Sequence, residues 1–233
     1  MSNGTKVKKR SGSIEPLDLN KMHKMVEEAT KDLAGVSASQ IEIQSGLQFY
    51  DGITTAEIQE ILVRSASDLI SLDAPNYQYV AARLLLFGLR KSLYGRIREH
   101  PTLGDHITQC IRKNVYDKEI VTKYTDEEID TLDTYIDHDR DYLFTYAGLR
   151  QVVDKYLVQD RSSGRVYETP QFMYMMIAAT MFSHYPKETR LDYVRRYYEA
   201  ISRHKINIPT PVMAGVRTPI RQFASCVLVD ADD

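Results

Sequence analysis

The sequence predicts a mainly α protein: a short β-hairpin set on four helices, a second helical region, and a strand-like stretch at the end. Three observations predict it. Apolar residues recur at helical spacing through most of the chain. Two Thr-x-x-Glu capping boxes, Thr54 with Glu57 and Thr125 with Glu128, stand just ahead of apolar-periodic runs. Strand-like composition is confined to brief segments around Gly12, around Gly164 and near the end.

Thr5 to Leu17 reads as strand, turn, strand (TKVKKR, SGS, IEPL), with Gly12 between two serines at the tip. A helix follows from about Leu19 with Asp18 as N-cap, and Leu19, Met22, Met25, Val26, Ala29 and Leu33 share one face. A second helix covers about 38–49, anchored by Ile41, Leu47 and Phe49. The Thr54 capping box opens the third, which turns Ile58, Ile61, Leu62, Ala66 and Leu69 to one side. The fourth runs from about Pro75 to Tyr94. Its Leu84-Leu85-Leu86-Phe87 run is apolar nearly all round, which marks a central helix. Residues 1–95 thus form a unit the size of a small domain, with Gly95 and EHPTLGD as the linker after it.

Residues 105–114 and 116–123 read as short helical pieces. From the Thr125 capping box one helix is predicted through to Leu157. LVQDRSSGRVYET is a second hairpin with Ser163-Gly164 at its turn. Thr169-Pro170, an N-cap followed by proline at the first helical position, opens the uniformly apolar QFMYMMIAATMFSHY. Its methionines are core packing. Pro186 opens a further helix. INIPTPVMAGVRTPIRQFASCVLVD then breaks the helical rhythm, with strand-like pieces at 206–208 and 223–229. A strand there needs a neighbour for its N–H and C=O groups, and few strand candidates lie nearby.

Composition narrows the function. The chain is 43% hydrophobic and 27% charged, which allows a core and a solvated surface. A formal net charge of −2 argues against a general nucleic-acid binder. No apolar run is long enough to cross a bilayer, and no signal-peptide pattern opens the sequence. Two cysteines, Cys110 and Cys226, exclude a disulfide scaffold and a four-cysteine zinc site. A cytoplasmic location is expected.

Three constellations stand out. In VKKRSGSIEPLDLNK, a basic hairpin beside a helix start supplies cations and N–H groups suited to a nucleotide triphosphate. Lys9 and Arg10 would take the phosphates and Lys21 could reach the same place; a solvated basic hairpin is the bland alternative. Thr55 and Lys91 gain meaning only if the bundle brings them there. Residues 117–141 hold ten acids against three Lys/Arg and include HDRD, 138–141. That cluster could bind metal, but a solvent-exposed or partner-facing helix is the stronger reading. The histidines lack ligand spacing and read as structural, so no metal site is expected. Cys226 with Ser225, Thr210, Arg217 and Arg221 reads either as a small buried hydrophobe in a strand or as a redox thiol near a polar substrate. The redox reading needs a second thiol within disulfide range, and nothing brings Cys110 to it.

At this point VKKRSGSIEPLDLNKMHK, LQFYDGITTAEIQ, DAPNYQYVAARLLLFGLRKSLYG, IDHDRD, KYLVQDRSSGRVYETPQF and INIPTPVMAGVRTPIRQFASCVLVD occur in one order. This order resembles the amino-terminal part of class I ribonucleoside-diphosphate reductase large (α) subunits, bacterial and T-even-type phage enzymes in particular. The resemblance runs from about Lys6 to the last residue. It implies an ATP-cone allosteric domain at 1–95, the helical domain of the α subunit at 96–205, and the start of a ten-stranded α/β barrel at 206–233. It implies that Lys9, Arg10, Glu15, Pro16, Leu17, Asp18, Leu19, Asn20, Lys21, Thr55 and Lys91 hold ATP or dATP as allosteric effectors. Thr210 and Ser225 would contact substrate, Cys226 would be one of two redox-active thiols, and Asp233 would open the specificity-effector site. Gln59 stands where many members of the family have histidine in the nucleotide pocket.

The family's radical cysteine, second redox thiol and thiol shuttle are not in this sequence. The resemblance therefore implies partners: a carboxy-terminal α polypeptide, a β subunit with its di-iron/radical cofactor, and thioredoxin or glutaredoxin as reductant. It suggests a separately encoded fragment, as from a split viral gene acting in the host cytoplasm, or a deliberately shortened chain. The alternative of another class is a non-catalytic ATP/dATP-sensing module; its repressor version, with paired CxxC motifs, does not fit two isolated cysteines.

Overall fold

The computed structural model describes residues 4–220, 222–226 and 228. Contacts divide the chain into two units, Met1–Ile97 with Tyr142–Arg150, and Arg98–Asp141 with Gln151–Asp233.

In the first unit, β1 (Lys6–Lys8) and β2 (Ile14–Pro16) form the hairpin, with Val7 opposite Glu15. Its turn is closed by Lys9 N–H donating to the Ser13 carbonyl at 2.8 Å and Gly12 N–H to the Lys9 carbonyl at 2.9 Å. Gly12 sits at φ +87°, where a side chain would be strained. A third strand, β3 (Ile53–Thr54), runs parallel to β1 with Lys8 opposite Thr54. Sequence periodicity could not show it, because two residues carry no period.

Within residues 1–97 four helices follow: α1 (Leu19–Thr30), α2 (Ala38–Gly46), α3 (Thr55–Asp68) and α4 (Tyr77–Tyr94). Met22, Val26 and Ala29 of α1 meet Ile58, Leu62 and Ala66 of α3 and Val80, Leu84 and Phe87 of α4 in one core. Complete burial of a leucine such as Leu62 stabilises by about 1.5–3 kcal/mol. Helices α3 and α4 approach closely at Gly88, where a Cβ would lie 2.9 Å from Gln59 Cγ. Gly95, at φ +76°, ends α4.

The second unit is built around α9 (Pro170–Met181), whose residues from Pro170 to Ala179 are all buried. That burial accounts for the unbroken apolar run. Against it packs α10 (Lys187–Ser202). Helices α5 (Leu103–Arg112), α6 (Ile120–Lys123) and α7 (Asp126–Asp133) precede it. The second hairpin is formed by β4 (Gln159–Asp160) and β5 (Arg165–Val166), with Gly164 at φ +68° in its turn. Arg190 of α10 donates to Glu128 (Nε to Oε1, 2.8 Å) and lies over the Tyr124 ring at 4.4 Å.

Two expectations are corrected. The helix predicted from Thr125 to Leu157 is broken. After α7 come a 3₁₀ segment (His138–Leu143), α8 (Tyr146–Gln151) and a π-helical turn (Val152–Tyr156). α7 ends at Asp133 with Thr134 as its C-cap, and Asp137 does not resume it: its N–H donates to the Tyr198 hydroxyl at 2.9 Å, and its carboxylate accepts from Asp139 N–H at 3.1 Å. HDRD is therefore no solvent-facing helix. Asp141 is buried and accepts from Gln171 Nε2 at 2.9 Å, while Arg140 donates to Glu199 at 2.6 Å.

The strand-like piece predicted at 206–208 is also not formed. Residues 206–209 are irregular, and a short helix α11 (Thr210–Gly215) follows. Pro209 and Pro211 supply no N–H, and among the described residues no strand pairs with this stretch to complete a ladder. Of the piece predicted at 223–229, residues 223–226 and 228 are irregular and exposed, while Val227 and Val229, with Arg221 and Asp233, lie outside the described residues.

Candidate functional site

Strand pairing positions the first site. Lys8 pairs with Thr54, so the chain passes from there into Lys9 on one side and into Thr55, the first residue of α3, on the other. Thr54 caps α3 through a reciprocal box: Glu57 N–H donates to Thr54 Oγ1 at 3.1 Å, and Thr54 N–H to Glu57 Oε2 at 2.8 Å. These bonds and the Tyr50 hydroxyl hold the Glu57 carboxyl below the usual carboxylate range.

Asp18 caps α1, accepting from Asn20 N–H at 3.0 Å and Lys21 N–H at 3.3 Å. Those bonds hold its carboxyl low. Lys21 Nζ lies 3.5 Å from Asp18, and Lys9 Nζ lies 3.2 Å from Glu15. Pro16, Leu19 and Asn20 are exposed and Leu17 is half-buried, so the segment from Glu15 to Lys21 forms a largely open edge.

Lys91, in the last turn of α4, joins this edge. Its ammonium is pushed below the ordinary lysine value, first by partial desolvation and then by Arg10, Lys9 and Lys21. Arg10, Lys9 and Lys21 are thus near enough to Lys91 to disfavour its charge. Thr55 lies half-buried at the start of α3. Gln59 is turned onto the fold: its Nε2 donates to the Leu84 carbonyl at 2.7 Å. That packing task was not visible in the sequence.

The second group lies in the other unit. Thr210 opens α11, and its Oγ1 is 3.3 Å from the Tyr156 hydroxyl. Ser225 Oγ and Cys226 Sγ are 3.8 Å apart and both residues are exposed. The structure thus pairs Thr210 with Tyr156, a residue sequence reasoning did not single out and for which no sequence signal existed. Cys110 is buried and free, and Cys226 is exposed and free. Burial, with Glu168 adding to it, pushes the Cys110 thiol up to about 12, so it stays protonated and unreactive.

Behind Thr210 stands a buried polar network. Arg217 donates through Nε to Glu168 Oε2 at 2.9 Å, and through Nη2 to the Tyr156 carbonyl at 2.8 Å. Tyr116 donates its hydroxyl to the same carboxylate, and His106 Nε2 lies 3.0 Å from that hydroxyl. Among the described residues no group of three or more His, Cys, Asp or Glu could hold a metal ion. No helix among them is long and apolar enough to cross a membrane.

Comparison with known proteins finds two family matches. Residues 5–92 match the ATP cone domain, and residues 142–221 match the ribonucleotide reductase all-alpha domain. The chain is 51% identical over 233 residues to ribonucleoside-diphosphate reductase 1 subunit alpha of Escherichia coli (strain K12), covering 100% of this chain and 30% of that protein. It is 51% identical over 233 residues to the alpha subunit of Haemophilus influenzae, covering 100% and 31%. It is 44% identical over 227 residues to that of Enterobacteria phage T4, covering 97% and 29%. The chain spans about 30% of the length of the relatives it matches.

Proposed function

The chain belongs with the alpha subunits of ribonucleoside-diphosphate reductase, and from that premise we propose that it is a nucleotide-regulated part of such an enzyme, completed by further polypeptide. An ATP cone implies binding of a nucleotide effector. What carries the regulatory half is the match of residues 5–92 to the ATP cone domain, together with Lys9 and Lys21 on the open edge from Glu15 to Lys21. Cations along such an edge are suited to a polyphosphate. In this reading Lys9, Arg10, Lys21 and Lys91 meet the phosphates of ATP or dATP. Thr55 and the segment Glu15, Pro16, Leu17, Asp18, Leu19 and Asn20 border the nucleoside.

The catalytic half is read from the second unit. Thr210 and Ser225 orient a ribonucleoside diphosphate, and Cys226 reduces it with a second thiol from the remaining alpha polypeptide. Two thiols give up two electrons and two protons and become a disulfide. At the ribose the C2′–OH bond is replaced by C2′–H, and water leaves. The radical that starts the reaction belongs to a β subunit, and thioredoxin or glutaredoxin returns the disulfide to thiols. Asp233 contributes to a specificity-effector site. A cytoplasmic location, in the host when the source is viral, accords with these partners.

The test is to combine the chain with the remaining alpha polypeptide and β and to follow CDP reduction. Turnover is expected in the complete mixture and none with Cys226→Ser; activity of that variant at the wild-type level would refute the redox assignment. Calorimetry of the chain alone with ATP and dATP tests the cone. Binding without any contribution to turnover would favour the second reading, a pure ATP/dATP sensor.

A further inference from the structure

The pairing of Tyr156 with Thr210 extends the reading of Thr210 as a substrate contact, and it rests on that reading. Tyr156 ends the π-helical turn Val152–Tyr156, in which Leu157 N–H donates to the Val152 carbonyl at 3.0 Å, an i to i+5 bond. Turns of this kind are rare and concentrate at functional sites. The wider turn also brings side chains five residues apart onto one side. Gln151 Nε2 accordingly donates to the Tyr156 hydroxyl at 3.1 Å.

An amide nitrogen only donates, so the phenol oxygen accepts from Gln151 and its single proton can go to Thr210 Oγ1, 3.3 Å away. Either hydroxyl can donate in that pair; with Tyr156 as the donor, Thr210 keeps its own proton for a third group. One guanidinium fixes both members of the pair: Arg217 donates to the Tyr156 carbonyl at 2.8 Å and to the Met213 carbonyl, one turn beyond Thr210, at 2.5 Å. Tyr156 also lines an open cleft of about 480 Å³ together with Pro211 and Ala214 of α11, Lys155, Arg161 and Gln222.

We propose that Tyr156 is a positioning residue: acting through Thr210, it orients the threonine hydroxyl as a hydrogen-bond donor toward an acceptor oxygen of the ribonucleotide. Tyr156 does not itself touch the reacting atoms.

The experiment uses the chain assembled with the remaining alpha polypeptide and β, with CDP as substrate. Tyr156→Phe is expected to raise KM about five- to tenfold, the worth of one oriented hydrogen bond, with kcat changed less than about twofold. Thr210→Val should raise KM at least as much, and the double variant should be no worse than Thr210→Val alone, because both changes remove one interaction. Wild-type KM for Tyr156→Phe while Thr210→Val is impaired would overturn the proposal, as would additive effects. Wild-type KM for Thr210→Val would instead refute the assignment of Thr210 as a substrate contact. If Tyr156→Phe lowers the melting temperature, the exposed Gln151→Met carries the same test. A raised KM in that variant supports the directed chain, and an unchanged KM overturns it.

Discussion

Arg217 and Glu168 form an ion pair in which neither side chain has any solvent exposure. Such a pair gains little over apolar residues of the same shape, but breaking it strands a charge. Here the stranded group would be Glu168, which also accepts from Val158 N–H at 2.6 Å and from the Tyr116 hydroxyl. Arg217→Met is expected to lower stability by about 3–5 kcal/mol. Urea unfolding measures it. Adding Glu168→Gln, which removes the stranded charge, should recover part of the loss. A loss below about 1 kcal/mol for Arg217→Met alone would show that the pair is not integral to the second unit.

His106, in the same network, makes the second unit sensitive to acid. Burial lowers its imidazole to about 4, with Arg217 and Lys113 adding to the effect and Glu168 opposing it. In the unfolded chain the ring returns to its ordinary value near 6.5. Between those values the unfolded state binds a proton that the folded state does not. Stability therefore falls as pH falls through that window and levels off below it. The loss is about 3 kcal/mol at the acid end. Unfolding at neutral and at acid pH should show this slope in the wild type and a reduced slope in His106→Gln. Equal slopes would remove His106 as its source.

The features legible in the sequence are those whose cause is local. Thr54 with Glu57, Asp18, Gly12 and Thr169-Pro170 each act within a few residues, and each marks an element end in the structure. What escaped the sequence depends on distant partners. Strand β3 exists because Val7 pairs with Ile53. The predicted long helix does not resume beyond α7, where Asp137 N–H is bound by Tyr198, 61 residues away. Lys9, Arg10 and Lys21 could be grouped from proximity in sequence, whereas Lys91 joins them only through the resemblance, and the fold brings it within range of them. Arg217 and Glu168, 49 residues apart, carry no shared pattern.

Lys91 gives the nucleotide reading a test with a definite sign. The fold disfavours its charged form, so in the empty chain stability rises with pH as Lys91 loses its proton early. A bound triphosphate reverses the preference. Binding should therefore take up protons, and affinity should fall as pH rises through the depressed value. Calorimetry with ATP in buffers of different ionisation heat reads the proton uptake. Lys91→Met is expected to weaken binding by about tenfold or more while leaving the empty chain at least as stable. Unchanged affinity would place the phosphates elsewhere.

The start of α3 can be probed without touching a charged group. Thr54→Ala removes the acceptor for Glu57 N–H and should cost about 1 kcal/mol, whereas Thr54→Ser keeps the bond. Because Thr55 is the next residue, Thr54→Ala should also weaken ATP binding, and Thr54→Ser should not. Equal melting temperatures for the alanine and serine variants would show that the box contributes little here.

The two cysteines differ in a way that alkylation can read directly. Thiolate is the nucleophile, so reactivity follows both access and acidity. Cys226 is exposed, whereas Cys110 is buried and its thiol is pushed up to about 12. At pH 8 such a thiol is ionised only to about one part in ten thousand. Iodoacetamide should therefore label Cys226 in the native chain and reach Cys110 only after denaturation, as peptide mapping will show. The alkylated chain should then fail to support CDP reduction in the assembled enzyme, whereas Cys110→Ala should retain it. Equal labelling of both thiols in the native chain would contradict the burial of Cys110. Full turnover after alkylation of Cys226 would remove that sulfur from the chemistry.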